Sequence, residues 1–438
     1  MTDRFKVWVV TADMGYGHQR AVHPLKYIAE EKIITVGSDK SASKGEEKLW
    51  KRFLHVYEFM SRAKGFPVIG DYIFGMLDAL LHIPSMYPVR DLSRPSFQVK
   101  LLKSNINKGL CLGMLNKTAT KNIPIVTSFF ASAIAADIKG DNEVYCIICD
   151  ADINRVWVPE SAEQSRIKYF APCAKAARRL KAYGVTSERI FITGFPLPFE
   201  LLGDNKLSVL KSNLGKRLYK LDPSKNFLNR HEKNVAHFLG EGTYTKPETE
   251  KLKITYTVGG AGAQMEIGGR IASSLKGKIL SNQVKLVLVA GIRSDVKDYY
   301  LKIKNDITQD DDQIEIIYSE SLDDYFNKFN KNLHDTDVLW TKPSELSFFS
   351  ALGIPIIITS PIGSQEKFNA KWLYEIQAAM KQENPDYTDQ WLFELLKGGR
   401  LAAAAWSGFL NARKMGSYKI IEVLENGKLD QNNSAVMR

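Results

Sequence analysis

Residues 337–370 read DVLWTKPSELSFFSALGIPIIITSPIGSQEKFNA, and this stretch decides the fold. Its two short apolar runs, 338–340 and 354–359, are rich in β-branched or aromatic residues and predict buried strands. The segment 345–352 predicts a helix that ends at Gly353, since glycine adopts the left-handed backbone with which helices commonly close. Strand, helix, strand and helix in this order predict a parallel sheet, whose ligands bind beyond the carboxyl ends of the strands.

The size and composition of the chain predict two domains. A length of 438 residues exceeds what one hydrophobic core usually organises. No uninterrupted apolar run reaches the length of about 18 residues that a membrane-spanning helix needs. The apolar run near the N-terminus is short and predicts a strand, not a signal peptide. We therefore expect a cytoplasmic protein, with peripheral contact to a membrane left open.

The cysteines predict a reducing compartment, because four of them in a chain of this length do not suggest a disulfide framework. Cys146 and Cys149 have the spacing of a metal or redox pair. They fall on a predicted strand, where residues three apart point to opposite faces, and no second Cys/His pair follows. We interpret both as core thiols.

The formal net charge of +11 suggests an anionic partner, either a nucleotide phosphate or an anionic membrane. The alternative is a solvated basic surface. The Lys and Arg residues are dispersed and form no block interleaved with aromatic residues. We therefore expect no nucleic-acid partner.

A glycine-containing loop joins the first predicted strand, 5–10, to a helix predicted over 21–30. Gly15 and Gly17 permit close backbone approach, and His18 would stand near the start of the helix. An imidazole at the carboxyl end of a strand is suited to act as a general base. The alternative is a histidine that only caps or packs.

Two carboxylates, Asp150 and Asp152, follow the strand predicted over 144–149. Carboxylates at the end of a strand suggest a general base or a metal site. Arg155 would neutralise one of them, which disfavours the metal. The alternative is that these side chains only make the hydrogen bonds of a turn.

Residues 50–90 contain aromatic and aliphatic residues at roughly helical spacing, with basic residues nearby. Helices of this kind usually pack on the sheet of an α/β domain. The alternative is a helical flap that touches an anionic membrane or an apolar acceptor.

A second glycine loop opens the other half of the chain. Gly259, Gly260 and Gly262 lie between a strand predicted over 253–258 and a helix predicted over 265–275. Such a loop offers backbone N–H groups and a helix N-terminus to phosphates. Its spacing is neither that of a P-loop nor that of a dinucleotide-binding loop. The alternative is a turn that only allows close packing.

These motifs together resemble the GT-B glycosyltransferases of the monogalactosyldiacylglycerol synthase and peptidoglycan N-acetylglucosaminyltransferase type. The match runs with interruptions from Val7 to about Leu373. The matching segments are Gly15–His18, Cys149–Asp150 with Trp157, ERIFITGFP (188–196), Gly259–Gly262, TKP (341–343), ALGIP (351–355) and PIGSQEKFN (361–369).

The resemblance implies an α/β fold with two Rossmann-like domains whose parallel sheets face a central cleft. It implies an acceptor domain over 1–199 and a nucleotide-sugar donor domain over 251–395. Residues 200–250 are then a linker or insertion, and the helices of 396–438 pack back on the N-terminal domain.

The resemblance also implies a function, the transfer of a sugar from a nucleotide-sugar donor, such as a UDP-sugar, to a hydroxyl of a small-molecule or lipid acceptor. The nucleotide sugar is a substrate, and neither a cofactor nor a metal is implied. The catalytic residues would be His18 and Asp150. The acceptor would meet Gly15, Gly17 and Asp152. The donor would meet Gly259, Gly260, Gly262, Lys342, Glu345, Gln365 and Glu366.

The chain departs from the family pattern at three positions. Ser344 stands in place of a glycine, Ser364 likewise, and Ser350 in place of the carboxylate that holds the donor ribose. A serine cannot accept two hydrogen bonds from a ribose diol as a carboxylate does. Either Glu345 substitutes, or the nucleotide differs, or the protein binds without catalysis. A sugar-nucleotide epimerase or phosphorylase of the same fold is a further alternative, and the sugar and the stereochemical course stay open.

Overall fold

The fold is built on two six-stranded sheets in which all strand pairings are parallel. The computed structural model describes residues 5–38, 42–52, 83–260, 262–361 and 363–429. The predicted fold class, α/β with two Rossmann-like parallel sheets, is confirmed.

The first sheet contains short strands of mostly apolar residues, as is typical of parallel sheets covered on both faces. Its strands are β1 (Trp8–Ala12), β2 (Ile34–Val36), β3 (Ile125–Thr127), β4 (Val144–Ile147), β5 (Lys168–Ala171) and β6 (Ile190–Ile192). Their spatial order is β2-β1-β3-β4-β5-β6, so the first strand lies inside the sheet, between β2 and β3. The loops that follow β1, β3 and β4 therefore emerge side by side at one edge.

The second sheet is also parallel and six-stranded, but its first strand lies between its second and its fourth. Its strands are β7 (Leu252–Thr257), β8 (Val284–Gly291), β9 (Ile314–Tyr318), β10 (Val338–Thr341), β11 (Ile356–Ile358) and β12 (Ala379–Lys381). Their order is β12-β11-β10-β7-β8-β9. The strands predicted over 5–10, 144–149, 253–258, 338–340 and 354–359 are present as β1, β4, β7, β10 and β11.

The helices lie between successive strands, as expected of right-handed parallel crossovers. The α-helices before Pro196 are α1 (Tyr16–Val22), α2 (Phe97–Asn107), α3 (Leu112–Thr118), α4 (Phe130–Lys139) and α5 (Ala174–Ala182). Those after it are α6 (Phe199–Leu202), α7 (Ser208–Leu221), α8 (Leu228–Leu239), α9 (Met265–Ser274), α10 (Lys276–Leu280), α11 (Ser294–Asn305), α12 (Leu322–Leu333), α13 (Ser364–Glu375), α14 (Thr388–Lys397), α15 (Arg400–Asn411) and α16 (Gly416–Asn426). Short 3₁₀ helices cover His23–Ile28, Arg155–Trp157, Ser187–Arg189, Glu345–Leu352 and Pro385–Tyr387.

The described residues group into two compact units. The first comprises 5–196, 363–369 and 415–429 within the described ranges, and the second comprises 197–361 and 370–414. Helix α15 therefore lies in the second unit, whereas the prediction placed all helices of 396–438 on the N-terminal domain. Helix α16 does lie in the first unit, where Gly416 packs directly against the backbone of Phe195.

The segment 200–250, predicted as a linker or insertion, contains helices α7 and α8 and belongs to the second unit. Arg217 of α7 is fully buried and donates hydrogen bonds to the carbonyls of Thr336, Leu352 and Gly353 at 2.6, 3.0 and 3.2 Å. The leucines of α7 are buried at helical spacing, but the Lys and Asn residues around them hide this period in the sequence. These leucines are Leu210, Leu214, Leu218 and Leu221.

Gly353 ends the helical segment 345–352, as predicted, with a φ of 66°. The segment is a 3₁₀ helix. A Cβ at Gly353 would lie 2.5 Å from Leu214 Cδ1, so glycine is needed here both for its backbone conformation and for close packing.

Within the described ranges, every helix is too short or too polar to cross a membrane. Most of the helical flap predicted over 50–90, namely 53–82, lies outside the described residues. Of its described parts, 50–52 continues a helix that begins at 44, whereas 83–90 is not helical.

Candidate functional sites

His18 lies in α1, directly after the loop that follows β1. Its Nδ1 is 2.7 Å from the backbone carbonyl of Ser128, in the loop that follows β3. A carbonyl oxygen only accepts hydrogen bonds, so Nδ1 carries the hydrogen. In the neutral ring, the lone pair is then on Nε2. This is the tautomer in which Nε2 can accept a proton, as a general base must.

Aromatic rings surround His18. Its ring centroid lies 5.1 Å from that of Phe129, edge to face, and 6.0 Å from that of Trp157. Phe130 lies 5.5 Å from Trp157, and Trp50 lies 6.0 Å from Phe129. We call these four rings the aromatic cluster. Phe129, Trp157 and Trp50 are buried, so the cluster packs as an apolar core beside His18.

Asp150, which follows β4, is half-buried and is held by Asn369 of α13. The Asn369 amide donates from Nδ2 to Asp150 Oδ1 at 2.8 Å and accepts from the Ala151 N–H at 2.8 Å. Asn369 itself is 0% exposed. All three residues belong to the first unit. The side chain of Asn369 thus fixes the position of a carboxylate that the sequence singled out as catalytic.

Asp152 has a different environment from Asp150. It is 0% exposed and forms a bidentate ion pair with the equally buried Arg179, with distances of 2.7 and 3.0 Å. Arg155, predicted as the neutralising cation, instead donates to backbone carbonyls, among them those of Ser93 and Pro159. Both oxygens of Asp152 are therefore engaged inside the fold. This corrects the interpretation of Asp152 as an acceptor contact, and the sequence failed here because Arg179 lies 27 residues away.

The two glycines predicted to contact the acceptor lie beside His18. Gly15 precedes α1 with a φ of 95°, and a Cβ built there would meet no atom within 4 Å. Gly17 lies within α1. The turn at Gly15 thus directs α1 away from β1, and the acceptor contacts of both glycines stay predictions.

In the second unit, the glycine loop after β7 lies against Lys342, which follows β10. A Cβ at Gly259 would clash with Lys342 Cε and lie 3.1 Å from its Nζ. The absence of a side chain at Gly259 therefore leaves the room that the lysine occupies. The structure brings together two elements that the sequence predicted to bind the donor and that are 83 residues apart in the sequence.

The same loop closes as a turn, with the Gly262 N–H donating to the Gly259 carbonyl at 2.8 Å. Gly262 has a φ of 71°. Gln264, at the start of α9, accepts from Thr359 Oγ1 at 2.7 Å and donates to the Ser360 carbonyl at 3.2 Å. The loop is thus fastened to the end of β11, next to the strand that carries Lys342.

Ser350, which stands where the family has its ribose-binding carboxylate, is 0% exposed. Its hydroxyl donates to the Ser347 carbonyl at 2.8 Å. Gly408 of α15 packs so closely on the Ser350 carbonyl that a Cβ there would lie 2.5 Å from the oxygen. Helix α15 thus covers this position. Glu345, the alternative ribose ligand, is also mostly buried.

Gln365 and Glu366, predicted as donor ligands, lie in the first turn of α13 and group with the first unit. Both are half-buried. Glu366 Oε2 accepts from the Gly363 N–H at 3.3 Å, which caps the start of the helix. Gly259, Gly260, Gly262, Lys342 and Glu345 group with the second unit.

Sequence reasoning missed three residues of these sites. Ser128 contributes a backbone carbonyl, which no sequence pattern reveals. Asn369 closes the PIGSQEKFN motif and could have been taken from it. Arg293 follows the end of β8, and this position just after a strand could have identified it as a candidate. Among the described residues, no three His, Cys, Asp or Glu side chains are grouped so as to hold a metal ion.

Comparison with known proteins gives one curated relative of note. No protein-family profile matches the chain. The processive diacylglycerol β-glucosyltransferase of Bacillus pumilus (strain SAFR-032) is 22% identical over 236 residues, which are 53% of this chain and 49% of that protein. The chain thus spans about half the length of the curated relative that it matches.

Solved structures with similar chain paths include a complex of MnaA with UDP from S. aureus, with a TM-score of 0.47 and 13% identity over 96% of both chains. The UDP-GlcNAc 2-epimerase from Neisseria meningitidis bound to UDP-GlcNAc has a TM-score of 0.47 and 12% identity, over 96% of this chain and 100% of that one. MurG from Acinetobacter baumannii has a TM-score of 0.43 and 13% identity, over 75% of this chain and 78% of that one.

Proposed function

We propose, starting from a confirmed resemblance to the GT-B glycosyltransferases, that this protein transfers a sugar from a UDP-sugar to a hydroxyl group of an acceptor. The observation that carries the proposal is the contact of Lys342 with the glycine loop at Gly259. A lysine held against a strand–glycine–helix junction provides positive charge and backbone N–H groups for a diphosphate.

The second unit is the proposed donor-binding unit. Gly259, Gly260 and Gly262 would bind the diphosphate, which the N-terminus of α9 and the charge of Lys342 would stabilise. Glu345 is the proposed ligand of the ribose, because Ser350 is covered by α15. Gln365 and Glu366 are proposed sugar contacts. No resident cofactor is part of this proposal.

The first unit is the proposed acceptor-binding unit, with Gly15 and Gly17 beside the acceptor. His18 is the proposed general base, supported by the hydrogen bond that leaves the lone pair on Nε2. Asp150, positioned by Asn369, is the alternative base. An acceptor with an apolar part, such as a lipid, and a peripheral location at a membrane belong to the proposal because the matched relative is a diacylglycerol glucosyltransferase.

In the proposed reaction, the base removes the proton of the acceptor hydroxyl as its oxygen attacks the anomeric carbon of the sugar. The bond between that carbon and the diphosphate breaks, and UDP leaves with the electron pair. Cations and backbone dipoles at the glycine loop stabilise the charge that develops on UDP, which is the usual largest contribution to such catalysis.

The test is calorimetric titration of the full chain with UDP-linked hexoses and N-acetylhexosamines, followed by transfer assays with diacylglycerol in vesicles and with soluble glycosides. We expect binding of UDP-sugars and formation of a glycosylated acceptor. Conversion of the donor without any acceptor would indicate an epimerase instead. Binding of UDP-sugars with no turnover under all these conditions would indicate a binding protein.

The lysine contact provides the internal control. Lys342→Met keeps the length of the side chain and removes its charge, so it should weaken binding of every UDP-sugar. Failure of the unchanged protein to bind any nucleotide would overturn the proposed function.

A further inference from the structure

Arg293 lies at the opposite end of the glycine loop from Lys342. A Cβ built on Gly262 would point at this arginine, with Nε at 3.8 Å and Cζ at 3.9 Å. Val296, in the first turn of α11, lies 3.1 Å from the same point. Because Gly262 has no side chain, the loop packs closely on Val296 and lies next to the guanidinium of Arg293.

The guanidinium of Arg293 forms an exposed ion pair. It is 42% exposed and pairs with Asp295, which is 58% exposed, at 2.9 and 2.8 Å. The hydrogen bonds from Arg293 lower the pKa of Asp295 below its ordinary value. Ion pairs at such exposure are weak, because water and salt screen them. A ligand that carries more negative charge than one carboxylate would compete successfully for the arginine.

Two cations thus lie beside the loop that the Gly262–Gly259 hydrogen bond closes. Lys342 reaches the turn at Gly259 and Arg293 reaches it at Gly262, and these two glycines are joined by a hydrogen bond of 2.8 Å. A single phosphate would need only one of the two cations. Two adjacent phosphate groups would occupy both, and each charge-assisted contact would add to the affinity.

We propose that Arg293 is a second donor-binding cation and that it makes the site select nucleoside diphosphates over nucleoside monophosphates. This inference rests on the proposed function of the glycine loop. In the proposed complex, Lys342 binds one phosphate group. Arg293 releases Asp295 and binds the other phosphate group.

The test compares the affinities of UDP and UMP for the full chain and for Arg293→Gln by calorimetry at low salt. We expect Arg293→Gln to weaken UDP binding at least about tenfold, as loss of a charged hydrogen bond of about 1.5–3 kcal/mol implies. UMP binding should change little, so the ratio of the two affinities should fall. Asp295→Asn should leave UDP binding unchanged or strengthen it, because it removes the competing carboxylate.

Arg270→Gln is the matched control. Arg270 lies on α9 in the same unit and forms a similar bidentate pair with Asp386 at 2.7 Å, so its loss removes the same charge elsewhere. It should leave both affinities unchanged. Equal UDP binding by Arg293→Gln and the unchanged protein would overturn the role of Arg293 and leave the proposed function standing. No nucleotide binding by the unchanged protein would overturn both.

Discussion

The carboxyl edges of the two sheets carry different chemistry, although both sheets are parallel and six-stranded. At the first edge are the imidazole of His18, in contact with aromatic rings, and the carboxylate of Asp150, held by Asn369. At the second edge, a turn of glycines lies between Lys342 and Arg293. In both sheets, parallel pairing brings loops from neighbouring strands to one edge, while the strand orders and the residues in those loops differ. The sheets thus determine where the sites lie, whereas the residues of the loops determine the chemistry of each site.

The largest expected effect concerns the first edge alone. His18→Ala should reduce the rate of sugar transfer about 100- to 10,000-fold, the range for removal of a general base. Affinity for UDP should not change, because the proposed phosphate contacts all belong to the second unit. Steady-state rates and calorimetry measure the two quantities separately. Gln19→Ala, at the next position of α1, is the control. A variant at His18 with full activity would show that the first edge does not supply the base.

The next effect separates the two carboxylates of the first edge. Asp152→Ala should lower the free energy of unfolding by about 3–5 kcal/mol, because it leaves Arg179 buried without its counter-ion. Asp150→Ala should cost less, since Asp150 is only half-buried and the partner it loses, the Asn369 amide, is uncharged. Chemical denaturation measures both. Equal losses of stability would contradict the division into a structural and a functional carboxylate.

A smaller effect is expected at the second edge. Lys342→Met should weaken UDP binding by about 1.5–3 kcal/mol, the range for a hydrogen bond to a charged group. Lys328→Met is the control, since Lys328 is an exposed lysine of the same unit that pairs with Asp324. Acceptor binding, followed by co-sedimentation with vesicles, should be unaffected by both changes. A loss of vesicle binding in Lys342→Met would contradict the proposal that donor and acceptor bind at different edges.

The smallest effect is a dependence of stability on pH that involves neither edge. Burial lowers the pKa of His334 below its ordinary value of 6.5, and its Nδ1 accepts a hydrogen bond from Asn213 Nδ2 at 3.2 Å. The stability that this neutral histidine contributes is present above pH 6.5 and is lost as the pH falls through the lower folded-state pKa. The melting temperature should therefore fall less between pH 7.5 and 5 in His334→Asn than in the unchanged protein. An identical fall in both would exclude His334 as the source.

The sequence was sufficient where the signal is local. The runs at 338–340 and 354–359 predicted β10 and β11, and Gly353 predicted the end of the segment between them. Glycine loops after strands also located both candidate sites. Each of these features depends on neighbouring residues, for which periodicity and turn chemistry are adequate guides.

The sequence was insufficient where a role depends on a distant partner. From the sequence alone Asp152 is a candidate site residue, but in the structure it is paired with Arg179. Asn369 is only a helix residue in the sequence, but in the structure it holds Asp150. The sequence shows that Ser350 replaces a carboxylate, but it does not show that α15 covers this position. Such contacts join segments by tertiary packing, and no local pattern contains them.

Arg217 has a consequence for how the chain can be divided. Besides its three shorter hydrogen bonds, it donates to the carbonyls of Leu333 and His334 at 3.4 Å, so one guanidinium caps the ends of both α12 and the 345–352 segment. A fragment that begins at 251, where the sequence suggested a domain boundary, would leave these helix ends uncapped. We expect a fragment that begins at Leu197 to resist proteolysis better, because α7 is an integral part of the second unit.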